Sequence, residues 1–222
     1  RILSVAGWLL SVLEIYKQLF LYYVVNGGAY DWWFFPFQLC SVPMYLCILL
    51  PLTRGALRRS FLTFMGGYTF ISAAAALIYP EDMLRSYTSL TIHGFVWHGI
   101  LLFISLLILM TGSADASLRG LLRAAMLFSI LSVVAVSINA AAEPVMQSIR
   151  AVHPEVPHSW AAMFYMNPYH ISPQPIVSSV QKTAGIPAGL LLYALVTAAL
   201  SSGVCLIAKY TKSHQALRFP RR

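Results

Sequence analysis

Apolar positions along the chain gather into six runs bounded by charged residues, proline or glycine: residues 2–25, 32–53, 60–79, 90–111, 120–142 and 187–209. Each run reaches roughly the 20 residues that an α-helix needs to cross a hydrocarbon core. The pattern therefore predicts an all-α, polytopic transmembrane helix bundle. It forms a single transmembrane helical domain over 1–222, with six spans and room for a seventh before Arg1. Residues 143–186 break the pattern. Pro144, Pro154, Pro157, Pro168, Pro173 and Pro175 interrupt them, which predicts an extramembrane loop capping the bundle.

Composition strengthens this picture. Hydrophobic residues make up 59% of the chain and charged residues 10%, with a mean hydropathy of +0.71, whereas a soluble domain carries about 25% charge. The net charge of +8 does not indicate nucleic acid, because the basic residues stand at the ends of apolar runs and not among exposed aromatics. It sets orientation instead. Arg54, Arg58, Arg59, Arg119, Arg123, Lys209, Lys212, Arg218, Arg221 and Arg222 follow even-numbered runs, while the alternate loops hold only Arg85, Arg150 and Lys182. The first group belongs on the cytoplasmic side, which puts the proline-rich loop on the other.

Chemistry has few candidates. Polar groups within hydrocarbon cost a few kcal/mol each, so each one present needs a reason. Glu14 and Lys17 are three residues apart on one helical face and predict an ion pair. Cys40, Cys47 and Cys205 all lie in apolar stretches and form neither a CxxC pair nor a disulfide framework. Pro43 predicts a kink beside Cys40, freeing backbone polar groups near the thiol. The fourth run carries His93, Trp97 and His98, and the five-residue step between the histidines separates them by about 140°, which fits no zinc-site spacing. No metal and no cofactor is implied.

Depth favours one histidine. With Trp32 and Trp33 at the interface, Cys40 lies roughly 12 Å deep, and His98, counted from Leu90, reaches a similar depth. A thiol becomes a nucleophile beside a base, and histidine is the usual base for acyl transfer through a thioester. Elsewhere, the aromatic stretch Trp160–His170 predicts an interfacial segment roofing a cavity, and His153, His158 and His170 read as solvated loop residues. Asn139 predicts a hydrogen bond to another helix.

The segment Pro36-Phe37-Gln38-Leu39-Cys40, the His98-bearing helix 58 residues on, Asn139 and Met163-Phe164-Tyr165 together resemble the YwaF family of bacterial membrane proteins. That family is related to the eukaryotic transmembrane protein 164. The resemblance implies a multi-pass protein of the bacterial inner membrane and a cysteine acyltransferase acting between a phospholipid and a lysophospholipid. Cys40 would be the nucleophile and His98 the base. Gln38, His93, Trp97, Asn139, Glu14 and Lys17 would support them, with Gln38 or a backbone amide freed at Pro43 stabilising the oxyanion. Where bacterial members carry histidine two residues before the cysteine, this chain has Gln38, which removes an auxiliary proton donor. The alternatives are a lipid hydrolase using the same residues or Thr91, and a small-molecule transporter or structural membrane protein in which Glu14, Lys17 and His98 line a polar path.

Overall fold

The computed structural model describes the backbone of residues 1–218 and the side chains through His214; of the basic tail, the Arg218 side chain, Arg221 and Arg222 lie outside the described residues. Seven α-helices follow one another. They are α1 (Ile2–Phe20, extended by a π turn over Leu21–Val25), α2 (Val42–Leu49), α3 (Gly55–Ile78), α4 (Thr88–Thr111), α5 (Leu118–Val152), α6 (Pro175–Ala184) and α7 (Ile186–Arg218). Five of these segments are long and apolar enough to cross a membrane: 2–25, 55–78, 88–111, 118–152 and 186–214. Their outward side chains include Met126, Ile130 and Val133 on α5 and Leu191 and Leu195 on α7. Large exposed aliphatic residues in such rows suit lipid and not water. The protein is a multi-pass helical membrane protein.

The second run departs from expectation. In place of one helix over 32–53, the chain makes a 3-10 turn at Trp32–Phe34, an irregular stretch, the eight-residue α2 and a 3-10 turn at Leu50–Leu52. The helical part from Val42 to Leu52 rises about 16 Å, half of a hydrocarbon core of about 30 Å. Proline is the cause. Pro36 blocks helix before it, and Pro43 falls in the first turn of α2, where a missing N–H costs nothing. The expected kink at Pro43 is therefore a helix start, and it releases no internal amide.

The fifth run departs in the opposite sense. Pro144 lies inside α5, which continues ten residues past the expected end at 142 to Val152. Proline removes one hydrogen bond but does not end the helix, as is common where neighbouring groups re-satisfy the backbone. The stretch expected to be loop over 143–186 also contains α6, with Pro175 at its first position.

The helices divide between two compact units, one comprising residues 1–10, 43–128 and 197–222, the other 11–42 and 129–196. In the first, Gly67 of α3 meets α7 so closely that an added Cβ would stand 2.6 Å from the Ser201 carbonyl oxygen. Small residues of this kind let membrane helices approach backbone to backbone. Gly67→Ala is expected to destabilise the protein by about 1–3 kcal/mol through overpacking, read as a lowered Tm in detergent. An unchanged Tm would show that α7 can retreat at no cost.

Candidate functional site

The second unit gathers most of the polar side chains singled out from the sequence. On α1, Lys17 Nζ lies 2.8 Å from Glu14 Oε1, the expected ion pair. Gln18 extends it: its Nε2 donates to Glu14 Oε1 at 2.7 Å and to the Phe34 carbonyl at 2.6 Å. Glu14 is 5% exposed, and its Oε2 meets no hydrogen-bond partner among the described residues. The pair is thus more than a neutralised charge. Through Gln18 it holds the turn that opens the Cys40 segment.

Irregular backbone within an apolar setting needs side chains to satisfy it. Gln38 does this at both ends of its amide. Nε2 donates to the Trp33 carbonyl at 3.2 Å, and Oε1 accepts from the Phe164 N–H at 3.0 Å. One of the two Nε2 hydrogens is thus engaged in holding the backbone. Ser41 N and Val42 N both donate to the Gln38 carbonyl and lead the chain into α2. Cys40 therefore sits on a short turn fastened by Gln18 and Gln38.

Asn139, fully buried on α5, bonds the loop and not a neighbouring helix. Its Oδ1 accepts from Met163 N at 2.7 Å, and its Nδ2 donates to the Met163 carbonyl at 3.0 Å. The expectation of an interhelical bond is corrected accordingly. Asn139 and Gln38 thus hold two successive backbone amides, those of Met163 and Phe164. The turn they hold is strained, for Phe164 and Tyr165 both have φ of 57°, a left-handed conformation costing an L-residue about 1–2 kcal/mol. Phe164 is fully buried and stacks on Phe37, with centroids 5.8 Å apart.

Two of the loop histidines expected to be solvated, His158 and His170, are clasps, whereas the His153 side chain stays open to solvent as expected. His158 Nδ1 stands 2.6 Å from Asp31 Oδ2, and its ring stacks on Trp33 at 4.4 Å. His170 Nε2 stands 2.8 Å from Glu143 Oε1, and its ring stacks on Trp160 at 5.0 Å. His153 pairs with Glu155 at 2.9 Å. Asp31 also caps the turn by accepting from Trp33 N at 3.0 Å. Sequence gave no sign of these pairs, because Asp31 and His158 are 127 residues apart and neither stands in a recognisable motif.

The three cysteines differ in access. Cys40 is partly exposed, whereas Cys47 is 0% and Cys205 2% exposed. Burial pushes the Cys40 thiol up to about 11; the Lys17 ammonium opposes that rise and the Glu14 carboxylate adds to it.

In the first unit, His98 of α4 places Nδ1 2.8 Å from the Gly94 carbonyl. A carbonyl accepts only, so Nδ1 carries the proton and Nε2 is the basic nitrogen. His93 is buried and stacks on Trp97 at 5.7 Å, which makes this pair part of the packing. Thr91 is engaged as well: its Oγ1 accepts from Arg85 N at 2.9 Å and lies 3.3 Å from the Arg85 carbonyl. Among the described residues, no three His, Cys, Asp or Glu side chains converge on a point that would hold a metal ion.

No curated protein and no solved structure matches the chain. The TMEM164 family model, in contrast, matches residues 1–200, nine-tenths of the sequence, and the chain belongs to that family.

Proposed function

We propose that the protein transfers a fatty acyl group from a phospholipid to a lysophospholipid through a thioester on Cys40, with His98 as general base. The observation that carries this reading is the contrast among the cysteines. Cys47 and Cys205 are buried, while Cys40 is partly exposed on a turn held by Gln18 and Gln38, within reach of the charges of Glu14 and Lys17. Membership of the TMEM164 family supports the same chemistry.

In the first half-reaction His98 Nε2 accepts the thiol proton, and the thiolate attacks the ester carbonyl of the donor lipid. The tetrahedral intermediate collapses by breaking the bond to the glycerol oxygen. That oxygen leaves as the lysophospholipid hydroxyl after taking the proton from the imidazolium, and the acyl group remains on sulfur. In the second half the acceptor hydroxyl gives its proton to His98 and attacks the thioester carbonyl. The C–S bond breaks, and the proton returns to the thiolate. The bilayer supplies both lipids, so no soluble domain is needed to recruit them.

The test is to incubate the purified protein with a phospholipid carrying a radiolabelled acyl chain and to measure hydroxylamine-sensitive label on the protein. The expected result is a labelled wild type and Cys47→Ala, with no label on Cys40→Ala. Equal label on Cys40→Ala would end the assignment. Recovery of the label as free fatty acid with lysophospholipid present would identify a hydrolase instead.

A further inference from the structure

The first unit contains a feature that the acyl chemistry does not use. A cavity of about 490 Å³ lies where the end of α4 and the turn to α5 meet α7, within the range of roughly 300–1,000 Å³ typical of ligand sites. Its floor is apolar, formed by Leu109, Ala116 and Cys205, which pack as one buried cluster. Lys209 and Lys212 line its rim. From the sequence, the basic tail after Lys209 is expected at the cytoplasmic surface, where anionic lipid attracts it.

The cavity has a built frame. Gly112 ends α4 with φ of 69°, while Gly112 N donates to Leu109 O and Ser113 N to Ile108 O, both at 3.0 Å. That is a Schellman turn, and it directs the chain away from the helix. Ser117 Oγ accepts from Gly120 N at 3.1 Å and caps the start of α5. Asp115 N donates to Thr63 Oγ1 at 2.8 Å and ties the turn to α3. The wall between the helices is therefore held on both sides.

Charge decides what fits. The cavity also holds Asp115, whose carboxylate accepts from Ser117 Oγ at 2.6 Å and lies 4.0 Å from Arg59 Nε. These groups, with Arg123, keep it ionised and below the ordinary carboxylate range. Ser117 holds this carboxylate first, and Arg59 and Arg123 lower the cost of its charge further. Lys212 gives one of its three donors to the Thr111 carbonyl at 2.7 Å, a favourable place for a cation at a helix C-terminus. Lys209 forms no ion pair or hydrogen bond among the described residues. Lys209 and Lys212 are three apart on α7, so both ammonium groups serve one face. Two cationic groups are left for a bound anion.

The surroundings favour an anion with apolar tails. Met110 on α4, next to Leu109, and Leu206 on α7, next to Cys205, are exposed at this level of the two helices. A free phosphate would make no use of them. We propose that the cavity seats the phosphate of an anionic membrane phospholipid, bound by Lys209 and Lys212, with the acyl chains running along Met110 and Leu206. A choline headgroup is disfavoured, since it would bring its own cation to a lysine rim. The site uses residues of the first unit alone and does not depend on the thioester chemistry.

The test is native mass spectrometry of the whole protein in a non-ionic detergent, titrated separately with dioctanoyl phosphatidylglycerol, dioctanoyl phosphatidylcholine and inorganic phosphate. Phosphatidylglycerol is expected to bind at least ten-fold more tightly than the other two. Lys209→Gln with Lys212→Gln lowers that affinity by ten-fold or more, and the paired arginine replacements retain it. Ala208→Phe, which narrows the cavity at constant charge, lowers it as well and provides a check that does not involve the lysines. The proposal is overturned if the double glutamine variant binds as the wild type does. It is also overturned if Arg54→Gln with Arg119→Gln, an equal loss of charge elsewhere, weakens binding as much, or if inorganic phosphate binds as tightly as the lipid.

Discussion

His98→Gln is expected to slow acyl transfer by about 10²–10⁴-fold, the usual contribution of a positioned general base. Glutamine preserves bulk and a hydrogen-bonding terminus but accepts no proton. In the wild type, donation from Nδ1 to the Gly94 carbonyl at 2.8 Å leaves the lone pair on Nε2, as the proposal requires. Without that base the thiol must ionise unaided. The residual rate of adduct formation should then climb about ten-fold per pH unit toward the thiol's own titration, which burial pushes up to about 11, and a wild type assisted by the base should climb less steeply. Single-turnover labelling of Cys40 across pH would separate these cases. A variant with the wild-type rate and profile would remove His98 from the mechanism. His158, with Nδ1 held by Asp31, would be the next base to test.

What could be read from the sequence was what repeats at helical period. Five of the six apolar runs become crossing helices, and Glu14 and Lys17 form their pair because a three-residue step on a helix allows little else. The second run misled for a physical reason. Hydropathy registers Phe34, Phe35, Phe37 and Leu39 as membrane-compatible whatever backbone they adopt, and the break there comes from Pro36 and Pro43. Pro144 misled in reverse, since proline within a membrane helix removes one bond without ending the helix. The polar contacts were least accessible. Gln38 meets Phe164 across 126 residues and Asn139 meets Met163 across 24, and no local pattern marks an amide that will satisfy backbone in a distant loop. One general clue did exist. A buried amide must find partners, and irregular backbone in an apolar setting must find donors and acceptors, so the two requirements answer each other.

That reciprocity gives Asn139 the largest expected effect on stability. Asn139→Ala strips the Met163 N–H and carbonyl of their partners while both residues are fully buried. At about 1–3 kcal/mol for each orphaned group, the substitution should cost about 2–6 kcal/mol. Part of that loss is recovered when Phe164 and Tyr165 leave the left-handed conformation that Asn139 helps to impose. The recovery itself predicts a distinctive phenotype: the loop should unlatch before the helices melt. Limited tryptic digestion would report it, because Arg150 and Lys182 flank the latched stretch and should be cut faster in the variant than in the wild type. Gln38→Ala removes the adjoining bond to Phe164, so the double variant should cost less than the sum of the two single changes. Strict additivity, with unchanged digestion in each single variant, would show that the two amides do not hold one turn. The Cys40 segment would then owe its shape to Gln18 and the Glu14–Lys17 pair alone.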